Sequence, residues 1–301
     1  MSNLTLSGRE RWHRMSRRVR FPWPQGFRPG FGGSLALLFC AVMILAAVAG
    51  PALAPFDANE SDFAAIMLPP AWLTDGLWEH PLGTDQLGRD VLSRLIVGTQ
   101  IAMIVAIATS VVAGVIGVTL GLIAGYLGGW ADAVISRIVD AFLALPFILM
   151  ALAFISALGT GVGNILLVLI MTNWAPYARL VRSEVVSIKR RDFVVLAQMA
   201  GVSRTRIILR HILPNAANSI LVLAVLDVGR AVILESSLSF LGLGIQPPDV
   251  SWGLMLADGR AYISIAWWLT VLPGIAIVAT VLSFNAVGEK LRVWFDPRGN
   301  L

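Results

Sequence analysis

From residue 29 to residue 56 the chain carries no charged side chain, and the polar stretch that follows gives way to a second uncharged run at residue 95. A helix crosses a bilayer with about 20 apolar residues. The first run therefore predicts a span at residues 32–54, and the second, 95–131, a span at 100–124. The next uncharged window, 141–178, is too long for one helix. Gly159-Thr160-Gly161-Val162-Gly163 interrupts it and reads as a tight turn between two spans. A fifth span is expected at 216–241, with Asp227, Arg230 and Glu235 inside it, and a sixth at 266–287. The pattern predicts an all-α integral membrane protein of six transmembrane helices. Ala52-Leu53-Ala54 behind a basic start also has the form of a signal-peptide cleavage site. The apolar run is too long for that, against the usual 7 to roughly 15 residues, and Pro55 follows the would-be cut, so a retained anchor is the expectation.

Between spans four and five, residues 192–215 have a different grain. Asp192 is placed to cap a short helix on which Phe193, Leu196, Ala197 and Ala200 share a face, and Gly201 suits the left-handed residue that ends it. Ser203 is placed to cap a second helix and Pro214 to limit it. So many arginines exclude burial in lipid, yet the apolar face needs cover. A partner protein is the expected cover.

A mean hydropathy of +0.77 with only 14% charged residues excludes an ordinary soluble domain. The pI near 10.1 does not point to nucleic acid, because the basic residues flank the apolar spans. Seven arginines precede span one and eight basic residues lie between Arg179 and Arg210, whereas 55–98 holds seven acids against Arg89 and Arg94 alone. By the positive-inside rule both termini and the loop at 187–215 are expected in the cytoplasm. The expected organisation is a basic cytoplasmic tail at 1–30, a first transmembrane helix at 31–55, an extracytoplasmic segment at 56–98, a core with the remaining spans at 99–288 and a cytoplasmic tail at 289–301.

Chemistry is sparse. Cys40 is alone, and His13, His80 and His211 have no metal-ligand spacing. There is no phosphate-binding loop, nucleophile elbow or paired-histidine zinc motif, and Gly288-Glu289-Lys290 lacks the rest of a phosphate loop. Uphill transport would need a separate ATPase. Thr109, Ala113, Gly117, Gly121 and Gly125 make a small-residue face for helix packing. Pro146, Pro176 and Pro273 should kink or end spans. Ionisable residues within spans are costly, which makes Asp140, Asp227, Arg230 and Glu235, with Ser236 and Ser239, candidates for a translocation path. Arg137 with Asp140 and Asp227 with Arg230 have ion-pair spacing, whereas Glu235 has no partner at i+3 or i+4. Asp85, Arg89 and Asp90 precede span two on the outer side, either as a helix cap or as the contact for a delivery protein.

Val195-Leu196-Ala197, Gly201 and His211-Ile212-Leu213-Pro214 reproduce the spacing of a loop of the form Glu-Ala-Ala, three residues, Gly, nine residues, Ile-x-Leu-Pro. This resembles the cytoplasmic loop of permeases in binding-protein-dependent ATP-binding-cassette importers, with Val195 in place of the acidic residue. Leu82-Gly83-Thr84-Asp85, Gly88-Arg89-Asp90-Val91-Leu92-Ser93-Arg94, Ser237-Leu238-Ser239-Phe240-Leu241-Gly242-Leu243-Gly244, Gln246-Pro247-Pro248 and Ser251-Trp252-Gly253 narrow the resemblance. They are similar to the C-type permeases of the dipeptide, oligopeptide and nickel group. The resemblance implies a type I importer permease fold and one half of a pore in the bacterial inner membrane, working by alternating access. It implies a B-type permease, two ATPase subunits that hold ATP and magnesium, and an extracytoplasmic solute-binding protein as partners. The chain itself would hold no cofactor. Carried over, Asp192, Phe193, Val195, Leu196, Ala197, Gly201, Leu213 and Pro214 would couple ATP hydrolysis to transport. The cargo would be a peptide or a related small solute, glutathione-like molecules and nickel complexes included. A stand-alone channel, a secondary transporter and a membrane scaffold are the competing readings.

Overall fold

The computed structural model describes residues 31–295, so the expected tail at 1–30 and the last part of the tail at 289–301 lie outside the described residues. Helix α1 (Phe31–Leu53) bends at Gly50, which is non-helical, because Pro51 supplies no donor and its ring crowds the preceding turn. Helix α2 (Val91–Leu127) starts well ahead of residue 100, since Asp90 accepts the Ser93 amide at 2.7 Å and nucleates the helix there. Its 37 residues reach roughly 55 Å, beyond a hydrocarbon core of about 30 Å.

The third expected span is bent. Helix α3 (Gly129–Ala144) and helix α4 (Phe147–Leu158) meet at 94°. Pro146 pushes Leu145 to extended backbone (φ −85, ψ 134), which ends α3. The glycine turn then leads into α5 (Val162–Lys189), with Gly159 and Gly161 at positive φ as that turn requires. Helices continue through Pro176 and Pro273, so of the three prolines Pro146 alone ends a helix. Helix α6 (Asp192–Met199) and helix α7 (Arg204–Ile207) follow. A π-turn (Ile208–Ile212) joins α7 to α8 (Leu213–Phe240), and α9 (Trp252–Gly259) and α10 (Trp268–Phe295) are the last helices among the described residues. Five stretches are long and apolar enough to span a membrane, and the bent pair makes six.

Helix α2 is the hub, packed against α1, α5 and α8. A Cβ on Gly121 would stand 2.7 Å from the Ala178 carbonyl oxygen, and one on Gly125 2.7 Å from Val185 Cβ. Contacts climb in the same direction on both helices, so α2 and α5 run parallel at a spacing that only glycine permits. The expected small-residue face is this packing seam. In contrast, Gly229 faces Val281 and Phe284 while Gly288 faces Leu226, so α8 and α10 run antiparallel.

Candidate functional site

At one end of the bundle, where α2 and α5 finish and α8 begins, the segment 192–212 folds against the span ends. Helix α6 closes with both bonds of a glycine-terminated cap: the Gly201 amide donates to Gln198 O at 3.0 Å and the Val202 amide to Ala197 O at 3.1 Å. Gly201 has φ 74, as its position after the helix demands. Val194 is fully buried and Ala197 half-buried against Val181, Val185, Ile188 and Ile207. The opposite face carries Phe193, Val195, Leu196 and Met199, with Leu196 60% and Met199 79% exposed.

Several expectations are corrected here. Arg191, not Asp192, occupies the N-cap, and Asp192 stands in the first turn, where its charge favours the helix dipole without a capping bond. Ser203 is at the N-cap of α7 but its hydroxyl makes no capping bond. Pro214 does not limit that helix. It lies in the first turn of α8, where a missing N–H is harmless, and the π-turn carries helical winding through to give one rod, Arg204–Phe240. Ala197 also leaves the shared face expected for it. Leu213 and Pro214 therefore sit half-buried at the root of α8, apart from the apolar face. Sequence reasoning passed over Met199 and Val194. Helical spacing of Val194 with Ala197 against Phe193 with Leu196 separates an inner from an outer face.

Within the spans, Ser110 Oγ lies 2.8 Å from the Tyr177 hydroxyl, which donates to Asp227 at 3.2 Å. Asp227 thus bridges α8 to α5 and α2, and it forms no ion pair with Arg230, which is exposed. Glu235, fully buried, finds the i+4 partner that a charge count misses: Ser239 Oγ donates to it at 2.8 Å, and Ser236 Oγ lies 3.2 Å away. Ser239 Oγ also accepts the Ile245 amide at 3.1 Å, so this knot pins the chain after α8. Asp140 lies apart from both groups, joined to Arg179 at 2.5 Å rather than to Arg137. Arg182 holds Asp132 at the start of α3 in the same cross-helix manner.

At the opposite end, Asp85, Arg89 and Asp90 are 5%, 9% and 2% exposed, so they do not offer a contact surface. Asp90 caps α2 and bonds His80 at 3.0 Å. Asp85 holds Arg89 at 2.7 Å and lies 3.6 Å from Arg94, while Arg89 reaches Asp258 of α9 at 3.9 Å. Trp252 Nε1 donates to Leu95 O and Trp268 Nε1 to Thr84 O, which clamps the segment at 56–90 onto α2, α9 and α10. Among the described residues no cluster of His, Cys, Asp and Glu is arranged for a metal ion.

A six-span bundle with a capped apolar helix at one end and a buried ionic frame at the other defines a multi-pass membrane permease built to work with partners. The sequence matches the model of the binding-protein-dependent transport system inner membrane component over residues 117–300, and the chain belongs to that family. It is similar to the di/tripeptide transport system permease DppC of Pseudomonas aeruginosa, 38% identical over 91% of this chain and 90% of the relative. It is also similar to the glutathione transport system permease GsiD of Shigella flexneri, 41% identical over 93% of this chain and 92% of that protein. The corresponding protein of Escherichia coli O6:K15:H31 is 39% identical over the same shares. In fold it matches a chain from inward-facing structures of the MetNI methionine ABC transporter, with a TM-score of 0.55 at 18% identity over 67% of this chain and 97% of that one. The protein is a C-type permease subunit of the ABC importer group that its motifs resemble. Family membership disfavours the channel, secondary-transporter and scaffold readings.

Proposed function

We propose that this chain, paired with a B-type permease, forms half of a pore that admits small peptides. Two separate ATPase subunits drive it and an extracytoplasmic solute-binding protein feeds it. The observation that carries this reading is the exposed apolar face of α6, held rigidly against the ends of α2 and α5. A surface of that kind on an aqueous side needs a protein partner. Phe193, Val195, Leu196 and Met199 supply the contact, and Asp192, Ala197 and Gly201 set its geometry. Leu213 and Pro214 root it in α8. ATP and magnesium belong to the partner subunits.

Positive charge supports a cytoplasmic position for both termini and for 187–215, with 56–98 outside. Relatives named for di/tripeptides and for glutathione support a cargo with peptide bonds and charged ends. Asp227 ties α8 to α5 and the Glu235 knot ties α8 to the chain that follows it, both beside the path, and exposed Arg230 faces it. Reconstitution of the permease pair with its ATPase subunits tests the reading. Solute-stimulated ATP hydrolysis coupled to uptake is expected, and energy-independent flux would overturn it.

A further inference from the structure

The outer segment ends in a rigid tip. Thr84 and Leu68 exchange bonds at 2.9 and 3.0 Å, and the Ala71 amide donates to Pro81 O at 3.1 Å, which pinches the loop at its base. Gly83 lies at that base with φ 80, and a Cβ there would meet Leu68 O at 2.5 Å, so the pinch admits only glycine. Beyond it the side chains turn outward: Trp72, Leu77 and Trp78 are 56%, 49% and 81% exposed, alongside exposed Asp75 and Glu79. Exposed tryptophan on a fixed loop is the composition of a binding hot spot rather than of a solvated turn.

We propose that the tip at residues 72–79 is the docking face for the extracytoplasmic solute-binding protein, whose complementary contact is basic at its rim and takes up Trp78 at its centre. The inference rests on the importer reading above and names the surface on which that partner acts. Charge selects the occupant. From residue 55 to residue 88 there is no lysine or arginine, whereas Asp57, Glu60, Asp62, Asp75 and Glu79 are exposed acids. A segment resting on a bilayer carries the opposite charge. The base of the tip is also tied, through Thr84 and Asp85, to Trp268 and Arg94 of the spans, so a load on the tip reaches α10 and α2 directly.

The test uses the complete transporter in nanodiscs and its solute-binding protein, with association and dissociation followed by surface plasmon resonance. The double variant Asp75→Lys, Glu79→Lys should slow association about tenfold at low salt and flatten its salt dependence. Trp78→Ala should speed dissociation about tenfold or more. ATP hydrolysis without the binding protein should be unchanged in both, which reports an intact complex. Wild-type kinetics in both variants would overturn the docking face and leave the importer reading standing. Quenching of Trp78 by brominated lipid, or disulfide capture of a Trp78→Cys variant by the second permease, would also overturn it. A wild-type transporter that neither binds the solute-binding protein nor responds to it would overturn the importer reading and the docking face together.

Discussion

Gly201 allows the proposed coupling geometry to be perturbed without touching any neighbour. It has φ 74 and open space where a Cβ would stand, so a substitution there meets backbone strain and nothing else. An L-residue in this left-handed region costs about 1–2 kcal/mol, with asparagine at the low end and a β-branched residue at the high end. Escape from that conformation breaks the Gly201-to-Gln198 and Val202-to-Ala197 bonds, at about 1 kcal/mol each, so the chain has no inexpensive alternative. Helix α6 has eight residues, too few to persist without its cap and its packing. A loss of about 2 kcal/mol is roughly a thirtyfold shift toward an unformed loop. In proteoliposomes holding the complete transporter, solute moved per ATP should rank Gly201 with Gly201→Asn, then Gly201→Ala several-fold lower, then Gly201→Val more than tenfold lower. Permease abundance and ATP hydrolysis should persist. Wild-type uptake by an equally abundant Gly201→Val protein would refute the role of the cap. Equal damage from asparagine and valine would show that side-chain bulk, not φ, is what matters.

Leu196→Glu should leave permease abundance unchanged and reduce co-purification of the ATPase subunits at least tenfold, because a charge replaces an exposed apolar contact; undiminished co-purification would count against the face. Gly121→Val should lower thermal stability by about 1–3 kcal/mol or prevent accumulation, since a Cβ there would already meet Ala178 O and Val181 Cβ of α5. Gly163→Ala, with nothing nearby, should be neutral by the same melting assay. Ser239→Ala should destabilise by about 2–4 kcal/mol, leaving both the Glu235 carboxyl and the Ile245 amide without this partner. Burial raises the pKa of Asp258 from its ordinary value, against the opposing pull of Arg94 and Arg89. Its ionised form is therefore disfavoured in the fold, and stability present below the unfolded-state pKa is lost as pH rises through the folded value. Asp258→Asn should match or exceed wild-type Tm at pH 7, with the difference closing toward about pH 4; a large loss at pH 7 would contradict this sign.

The spans were legible because lipid imposes one rule on sequence, a long run without charge, and among the described residues five of the six became single helices long and apolar enough to cross a membrane. The exception, α3 with α4, turns on Pro146, whose effect on Leu145 is local but whose 94° outcome is set by packing on α5. Partner choice was less legible. Spacing at i, i+3 suggested Arg137 with Asp140 and Asp227 with Arg230, yet Asp140 reached Arg179 and Asp227 reached Tyr177, residues 39 and 50 positions away. No local signal carries such a choice, since it depends on which helix faces arrive together. Gly201 was legible for the opposite reason: positive φ is a property of one residue. The cap hydrogen bonds expected of Asp192 and Ser203 failed because cap position and cap bond are separate matters, and a one-residue shift of a helix start decides the second.

The same distinction explains how two ends of the bundle can be mechanically joined without a local sequence motif for the joint. Trp252 Nε1 donates to Leu95 O at 3.0 Å, which fixes the N-terminal end of α2 to α9. Below it, Gly117, Gly121 and Gly125 bring α2 so close to α5 that an added Cβ would meet backbone atoms and the first side-chain atoms of Tyr177, Val181 and Val185, leaving little room to absorb a displacement. At the far end Val185 and Ile188 of α5 and Tyr126 of α2 pack with buried Val194, the inner face of α6. Helices in such contact move as units, because close-packed interfaces switch between arrangements rather than deform. On the proposed coupling role, a movement of α6 should therefore reach α2 and α5 as one body, and the π-turn at Ile208–Ile212 is the joint through which α8 should follow; cross-linking α6 to α5 that left uptake unchanged would count against it.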